Sequence, residues 1–161
     1  MPNSCRLYAE RGRASFCDAF EADLTDASLS ALEIALRYMR ATPQWVEALL
    51  SVRNWAVAPL GLRDSGPMGG VSDKPAAAYA PGERLGVFTI RSIELDEVVL
   101  SADDRHAEVR VAFLARPRKD APTYVIASWV RTRNTLGRLY MIPVAQIHPL
   151  VAKAGMRALA V

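Results

Sequence analysis

Apolar and polar positions change period along this chain. From residue 86 on, runs at 86–94, 97–103, 104–114 and 123–133 are rich in β-branched and aromatic residues, with short polar turns between them. Such spacing predicts an antiparallel meander. In 104–114, Ala107, Val109, Val111 and Phe113 share one parity, and His106, Glu108 and Arg110 the other. Successive strand side chains point to opposite faces, so one face is apolar and the other carries a base, an acid and a fixed cation. A hairpin centred near residue 118 sets Glu108 opposite Trp129 and His106 opposite Arg131. It also sets Val109 and Val111 beside Ile126 and Ser128. Residues 16–24 alternate as well. Phe16, Asp18, Phe20, Ala22 and Leu24 share one parity against Glu21 and Asp23, which predicts a first strand.

Helical spacing fills the remainder. The Thr25–Ser28 stretch offers N-caps for a helix carrying Leu29, Leu32, Ile34, Leu36, Tyr38 and Met39. Thr42 and Pro43 suit the cap and first turn of a second helix with Trp45, Val46, Leu49, Leu50, Val52 and Trp55, reaching Val57 before Pro59 and Gly61. Residues 63–84 hold four Gly and three Pro, which predicts a mobile loop, tied down at most through Tyr79. After Asn134, the residues Leu136, Leu139, Tyr140, Val144, Ile147, Leu150, Val151 and Ala154 trace a helical stripe. Pro143 and Pro149 inside it predict a kink or a late start. The order is strand, two helices, antiparallel strands and a long C-terminal helix. It predicts an α+β fold in one domain over residues 1–161. The order resembles the helix-grip plan of START-like and Bet v 1-like domains, a curved sheet around the terminal helix.

Charge and composition narrow the function classes. Net charge is +3 and no block of five like charges occurs, so nucleic acid is not an expected partner. Two cysteines, Cys5 and Cys17, read as free thiols. With two histidines and no Cys/His ligand spacing, neither a metal nor another cofactor is expected. No signal-peptide pattern and no apolar run of about 18 residues is present, so a cytoplasmic protein without a membrane span is the expectation.

Candidate chemistry rests on few residues. His106 can act as a general base, with Glu108 tuning it and Arg110 holding an anion, or the same row can be a wet sheet face with cross-strand ion pairs. His148 on the terminal helix can face a partner across a cavity or sit in packing. Asp103 and Asp104 read as turn acids that bond their own backbone. Arg138 can bridge to an acid, and Trp45, Trp55 and Trp129 can line a pocket or fill the core. Ser15, Ser51 and Ser128 lack the G-x-S-x-G context of a serine hydrolase.

Several short motifs coincide. They are Pro43-x-Trp45-Val46, Arg53-Asn54 before Pro59-Leu60-Gly61-Leu62, Asp103-Asp104-Arg105-His106 with Arg110, and Asn134-x-Leu136-Gly137-Arg138-x-Tyr140 followed by His148. On these the chain resembles the bacterial domain of unknown function 2867 family. The resemblance runs from about Asp18 to Met156. Members occur as stand-alone proteins and at the C-terminal end of NAD(P)-binding reductase-like chains. Ala107-Glu108-Val109 stands where the family usually has Leu-Asp-Phe, and Gln146-Ile147-His148 where it often has Pro-Phe-His. The resemblance implies no activity. The chain itself has no dinucleotide fingerprint.

Three functions remain open on the residues. The first is binding of a small apolar or amphipathic molecule between sheet and terminal helix, lined by Val109, Val111, Phe113, Ile126, Tyr140 and Val144. The second is a cyclase- or isomerase-like enzyme using His106 or His148 with Arg110 or Arg138 as anion clamp. The third is an interaction module, a homodimer or a reductase partner, motivated by an exposed Trp129.

Overall fold

The alternating runs pair into one antiparallel sheet. The computed structural model describes residues 1–57, 70–116 and 121–159. Its strands are β1 (Phe16–Asp23), β2 (Arg84–Leu85), β3 (Phe88–Ile93), β4 (Glu97–Asp103), β5 (Ala107–Arg116) and β6 (Thr123–Thr132). They lie in the order β1-β6-β5-β4-β3-β2, so the first strand joins the last and the sheet stays open. The helices are α1 (Ala31–Arg40), α2 (Gln44–Val57) and the long α3 (Thr135–Leu159). The architecture is α+β and is consistent with a helix-grip-like curved sheet.

The β5–β6 register differs from the expected one by two residues. Glu108 faces Arg131, Arg110 faces Trp129, Val111 faces Ser128 and Phe113 faces Ile126. The ladder continues to Arg116 and Thr123, which moves the hairpin centre outward. A slip of two keeps every side chain on its face, so the parity argument survives. His106 lies outside the strand. The Asp104 carboxylate accepts the N–H groups of His106 at 2.6 Å and Ala107 at 2.8 Å, folding that stretch into a turn.

Both sheet faces are buried, which overturns the wet-face expectation. Val98, Leu100, Phe113 and Ile126 pack with α1. On the opposite face Val99, Ala112, Leu114, Val125, Ala127 and Trp129 join Cys5 and Leu7. A 3₁₀ segment, Arg6–Arg13, covers that face. Trp129 is 1% exposed, so it is a core residue and offers nothing to a partner. Its indole N–H donates to the Glu10 carbonyl at 3.0 Å.

Helix α1 is capped by Ser30 rather than by the 25–28 stretch. The Ser30 hydroxyl accepts from the Glu33 N–H at 3.3 Å, and the Glu33 carboxylate accepts from the Ser30 N–H at 2.8 Å. This reciprocal capping box stabilises the helix by about 1 kcal/mol. Helix α2 is apolar on two stripes. Val46 is buried and Leu50 reaches inward, while Trp45, Val52 and Trp55 face solvent, so these two tryptophans neither line the cavity nor fill the core.

Helix α3 starts at once after Asn134, with no delay from its prolines. The Asn134 side chain accepts from the Gly137 N–H at 3.0 Å, which supplies the cap. Gly137 is needed for a close approach, since a Cβ there would stand 2.3 Å from the His106 carbonyl oxygen. Leu139, Ile142 and Leu150 are exposed, so the buried stripe is rotated from the one the spacing suggested.

The Pro59–Leu62 motif, residues 63–69 of the expected loop and the 117–120 hairpin tip lie outside the described residues. In the described part, 70–84, Tyr79 is buried and its hydroxyl donates to the Ser72 carbonyl at 2.8 Å. Val71 packs against the main core. Tyr79 and Val71 are thus apolar contacts of this part with the body.

Candidate functional site: a cavity between the sheet and the terminal helix

The sheet, α1 and α3 line a half-open cavity of about 550 Å³. That volume lies within the range of small-molecule sites. Strand parity makes its floor. Ile90, Leu100, Val111, Ser128 and Asp18 occupy one cross-strand row from β3 to β1, and Val111 and Ser128 of that row line the cavity. The roof comes from α3 at helical spacing, through Gly137, Tyr140, Met141, Val144, His148, Val151 and Ala152. All six expected lining residues, Val109, Val111, Phe113, Ile126, Tyr140 and Val144, line this cavity. Tyr38 and Phe113 meet edge to face at 5.3 Å. Burial pushes the Tyr38 phenol well above its ordinary pKa, so it stays neutral and donates toward the Ala152 carbonyl at 3.4 Å.

The polar end of that row forms a chain with His148. The Asp18 Oδ2 lies 2.9 Å from His148 Nδ1, and Ser128 Oγ lies 3.4 Å from His148 Nε2. A carboxylate only accepts, so Nδ1 carries a proton and Nε2 is the nitrogen that gains or loses one. The ring is further fixed by an edge contact with Phe16, 5.7 Å between centroids. Asp18 Oδ1 is buried and has no hydrogen-bond partner among the described residues. A buried unpaired acceptor is costly, on the order of 1–3 kcal/mol, and such groups concentrate where something other than packing is at stake.

Sequence reasoning placed the row 106, 108, 110 in one candidate site, and the structure separates it. Glu108 and Arg110 point away from the cavity, under the Arg6–Arg13 segment. Arg110 bonds Glu108, pairs with Glu10 at 2.6 Å and lies 5.0 Å over the Trp129 ring. Glu108 also binds Arg131 at 2.7 Å. Burial raises the Glu108 pKa, but attraction from Arg110 and then Arg131 outweighs it and holds the carboxyl below its ordinary range. This is a buried ionic network, not an anion clamp.

His106 reaches the cavity wall but is tied up. Arg105 Nε donates to its Nε2 at 2.8 Å, and Asn134 lies against Nδ1. Arg138 is exposed on α3 and does not line the cavity. Neither expected clamp, Arg110 or Arg138, therefore meets a histidine in the cavity. The geometry of His148 fits the cavity-facing alternative.

Asp18 and Ser128 were missed. Their signal was present as parity, because each is a polar residue on the apolar side of its strand. Among the described residues no cluster of three or more His, Cys, Asp or Glu could hold a metal, and no helix is long and apolar enough to cross a membrane. Cys5 and Cys17 are free, the first buried and the second exposed.

The motif residues now have physical roles. Asp104 folds the turn before β5, Asn134 caps α3, and Gly137 lets α3 touch that turn. No curated protein and no solved structure matches this chain. Residues 11–155, which include all six strands and most of α3, match a family described as protein of unknown function (DUF2867), and the chain belongs to that family.

Proposed function

We propose that this domain binds one small, largely apolar molecule in the cavity between the sheet and α3, with an uncharged polar group of the ligand at the Asp18–His148–Ser128 corner. The observation that carries this reading is the cavity itself. Its wall is mainly aliphatic and aromatic, with Ser128 and His148 as polar groups on the β1–β6 side and Arg84, Asp103, Asp104 and His106 away from it. A concave, mainly apolar wall with a few polar groups is the usual form of a ligand site. Saturation-transfer NMR with 2-tetralone, an uncharged bicyclic ketone, tests the reading. Transfer to the ketone is expected with the native chain and should vanish in Val111→Trp, which fills the floor. Transfer that persists in a folded Val111→Trp protein would place binding elsewhere and refute the proposal. Native mass spectrometry of freshly purified protein tests it independently through any co-purified small molecule.

A second reading has its own observation. Trp45, Val52 and Trp55 on α2, and Leu139, Ile142 and Leu150 on α3, are exposed apolar side chains, with Trp55 81% exposed. Exposed apolar side chains in this number favour contact with another protein surface. Light scattering after size exclusion tests self-association, and a monomer at all concentrations removes the homodimer version.

A further inference from the structure

We infer that His148 is a general base and acid that moves a proton at the carbon beside a carbonyl of an apolar ligand, with Asp18 as its positioning residue. The inference rests on the cavity-binding reading above and assigns a reaction class to it. Three features point to proton transfer. His148 is on the cavity face of α3 and its Nε2 is directed at Ser128 on the floor. Nδ1 is held by Asp18 at 2.9 Å, which fixes both ring orientation and tautomer. Asp18 comes from β1 and Ser128 from the paired position on β6, so the sheet register itself sets the spacing of the three groups.

The local charge pattern selects the substrate class. Arg84, Asp103 and Asp104 line the cavity from β2 and from β4 and its following turn, away from the β1–β6 end. The groups facing the His148 ring are Asp18, Ser128 and Phe16, with no cation among these contacts. An anionic ligand group is disfavoured beside the Asp18 carboxylate, and a neutral carbonyl is accommodated. Nucleophilic acyl transfer by Ser128 fits less well. Ser128 sits in the middle of β6 between two paired strands, where the ladders engage the neighbouring backbone N–H groups that an oxyanion hole would need.

The step balances without a co-reactant. Neutral Nε2 takes a proton from the carbon next to the carbonyl. The C–H electron pair becomes the carbon–carbon double bond of an enolate, and the carbonyl π pair moves to oxygen. The Ser128 hydroxyl rotates from Nε2 to donate to that oxygen. Return of the proton, at the same carbon or at a conjugated one, restores the ketone or its isomer and neutral imidazole. The Asp18 carboxylate stabilises the imidazolium formed in between.

Deuterium incorporation into 2-tetralone in D₂O, followed by proton NMR, reads this step, and saturation transfer reads binding in the same sample. Native protein should exceed an equal concentration of free imidazole. His148→Gln should lose about 10²–10⁴-fold of the enzyme-dependent exchange while still giving saturation transfer. Asp18→Asn should lose less, and should move the pH midpoint of exchange downward because the imidazolium has lost its counter-charge. A merely structural role for Asp18 would not move that midpoint. Binding without exchange above the imidazole control overturns the proton-transfer inference and leaves the binding reading standing. Exchange that survives His148→Gln overturns it equally. Absence of both binding and exchange overturns both readings. If His148→Gln does not fold, the midpoint shift in Asp18→Asn decides alone.

Discussion

Removal of the Glu108 carboxylate should unbalance a buried charge network and cost more than any surface pair could. The Glu108 side chain is 7% exposed and the Arg110 side chain 10%. Glu108 also meets Arg131 at 2.7 Å and Arg133 at 3.7 Å, and both of those cations reach water. Glu108→Ala leaves the Arg110 guanidinium under Arg6–Arg13 with one carboxylate partner, the more exposed Glu10. Its Nε already lacks a partner. Breaking a buried pair from one side costs about 3–5 kcal/mol. Arg131→Ala removes a partner that can solvate itself, and should cost about 0.2–1 kcal/mol. Urea unfolding at neutral pH, with the denaturant slope unchanged, reads both values. Glu108→Leu combined with Arg110→Met should recover most of the loss, since no uncompensated charge then remains. The sign with pH is fixed by the lowered carboxyl. Its stabilisation is present above the ordinary value of 4.5 and is lost as pH falls below that, through the lower folded-state value. The gap between native and Glu108→Gln proteins should therefore narrow in acid. Equal costs for Glu108→Ala and Arg131→Ala, or a loss under about 1 kcal/mol for the former, would refute the buried-network account.

Other consequences are as direct. Gly137→Ala puts a methyl group 2.3 Å from a backbone oxygen that cannot rotate away, so a net loss of about 1–3 kcal/mol is expected by thermal melting despite better helix propensity. Asn134→Ala removes the α3 cap and the contact with the His106 ring, and should cost about 0.5–2 kcal/mol in the same assay. Burial pushes the Cys5 thiol up to about 11, so at pH 8 a disulfide reagent should titrate exposed Cys17 quickly and Cys5 only on unfolding. Rapid reaction of two thiols in the folded protein would contradict the packing of Cys5 against Glu97 and Leu7.

Strand parity made much of the fold legible. It separated Val109, Val111 and Phe113 from Glu108 and Arg110 before any register was known, and a two-residue error in that register changed no face. The cover over the second face was not legible, because Arg6–Arg13 has only the short apolar run Leu7, Tyr8 and Ala9 and is held by Leu7, Glu10 and their partners across the sheet. A polar row was therefore read as wet when it is buried and ion-paired. The candidate site was half legible. His148 stood out as a histidine in the terminal helix. Asp18 was visible as an acid among Phe16, Phe20 and Ala22, yet its meaning depends on β1 lying beside β6, a pairing that local periodicity does not encode.

That pairing also sets where the fold is most demanding to assemble. The β3–β4, β4–β5 and β5–β6 contacts close short loops, whereas Phe16 must find Val130 across most of the chain. Loop-closure entropy makes such a distant pairing slower to reach than a hairpin. The β1–β6 seam is the place where Asp18, Ser128 and the roof residue His148 meet. A chain with its meander formed but β1 still free would bury much of its apolar surface and yet possess no polar corner. Chemistry at this corner would thus act as a reporter of complete folding, because the chain's two ends must both be seated before the three groups share a hydrogen-bonded line.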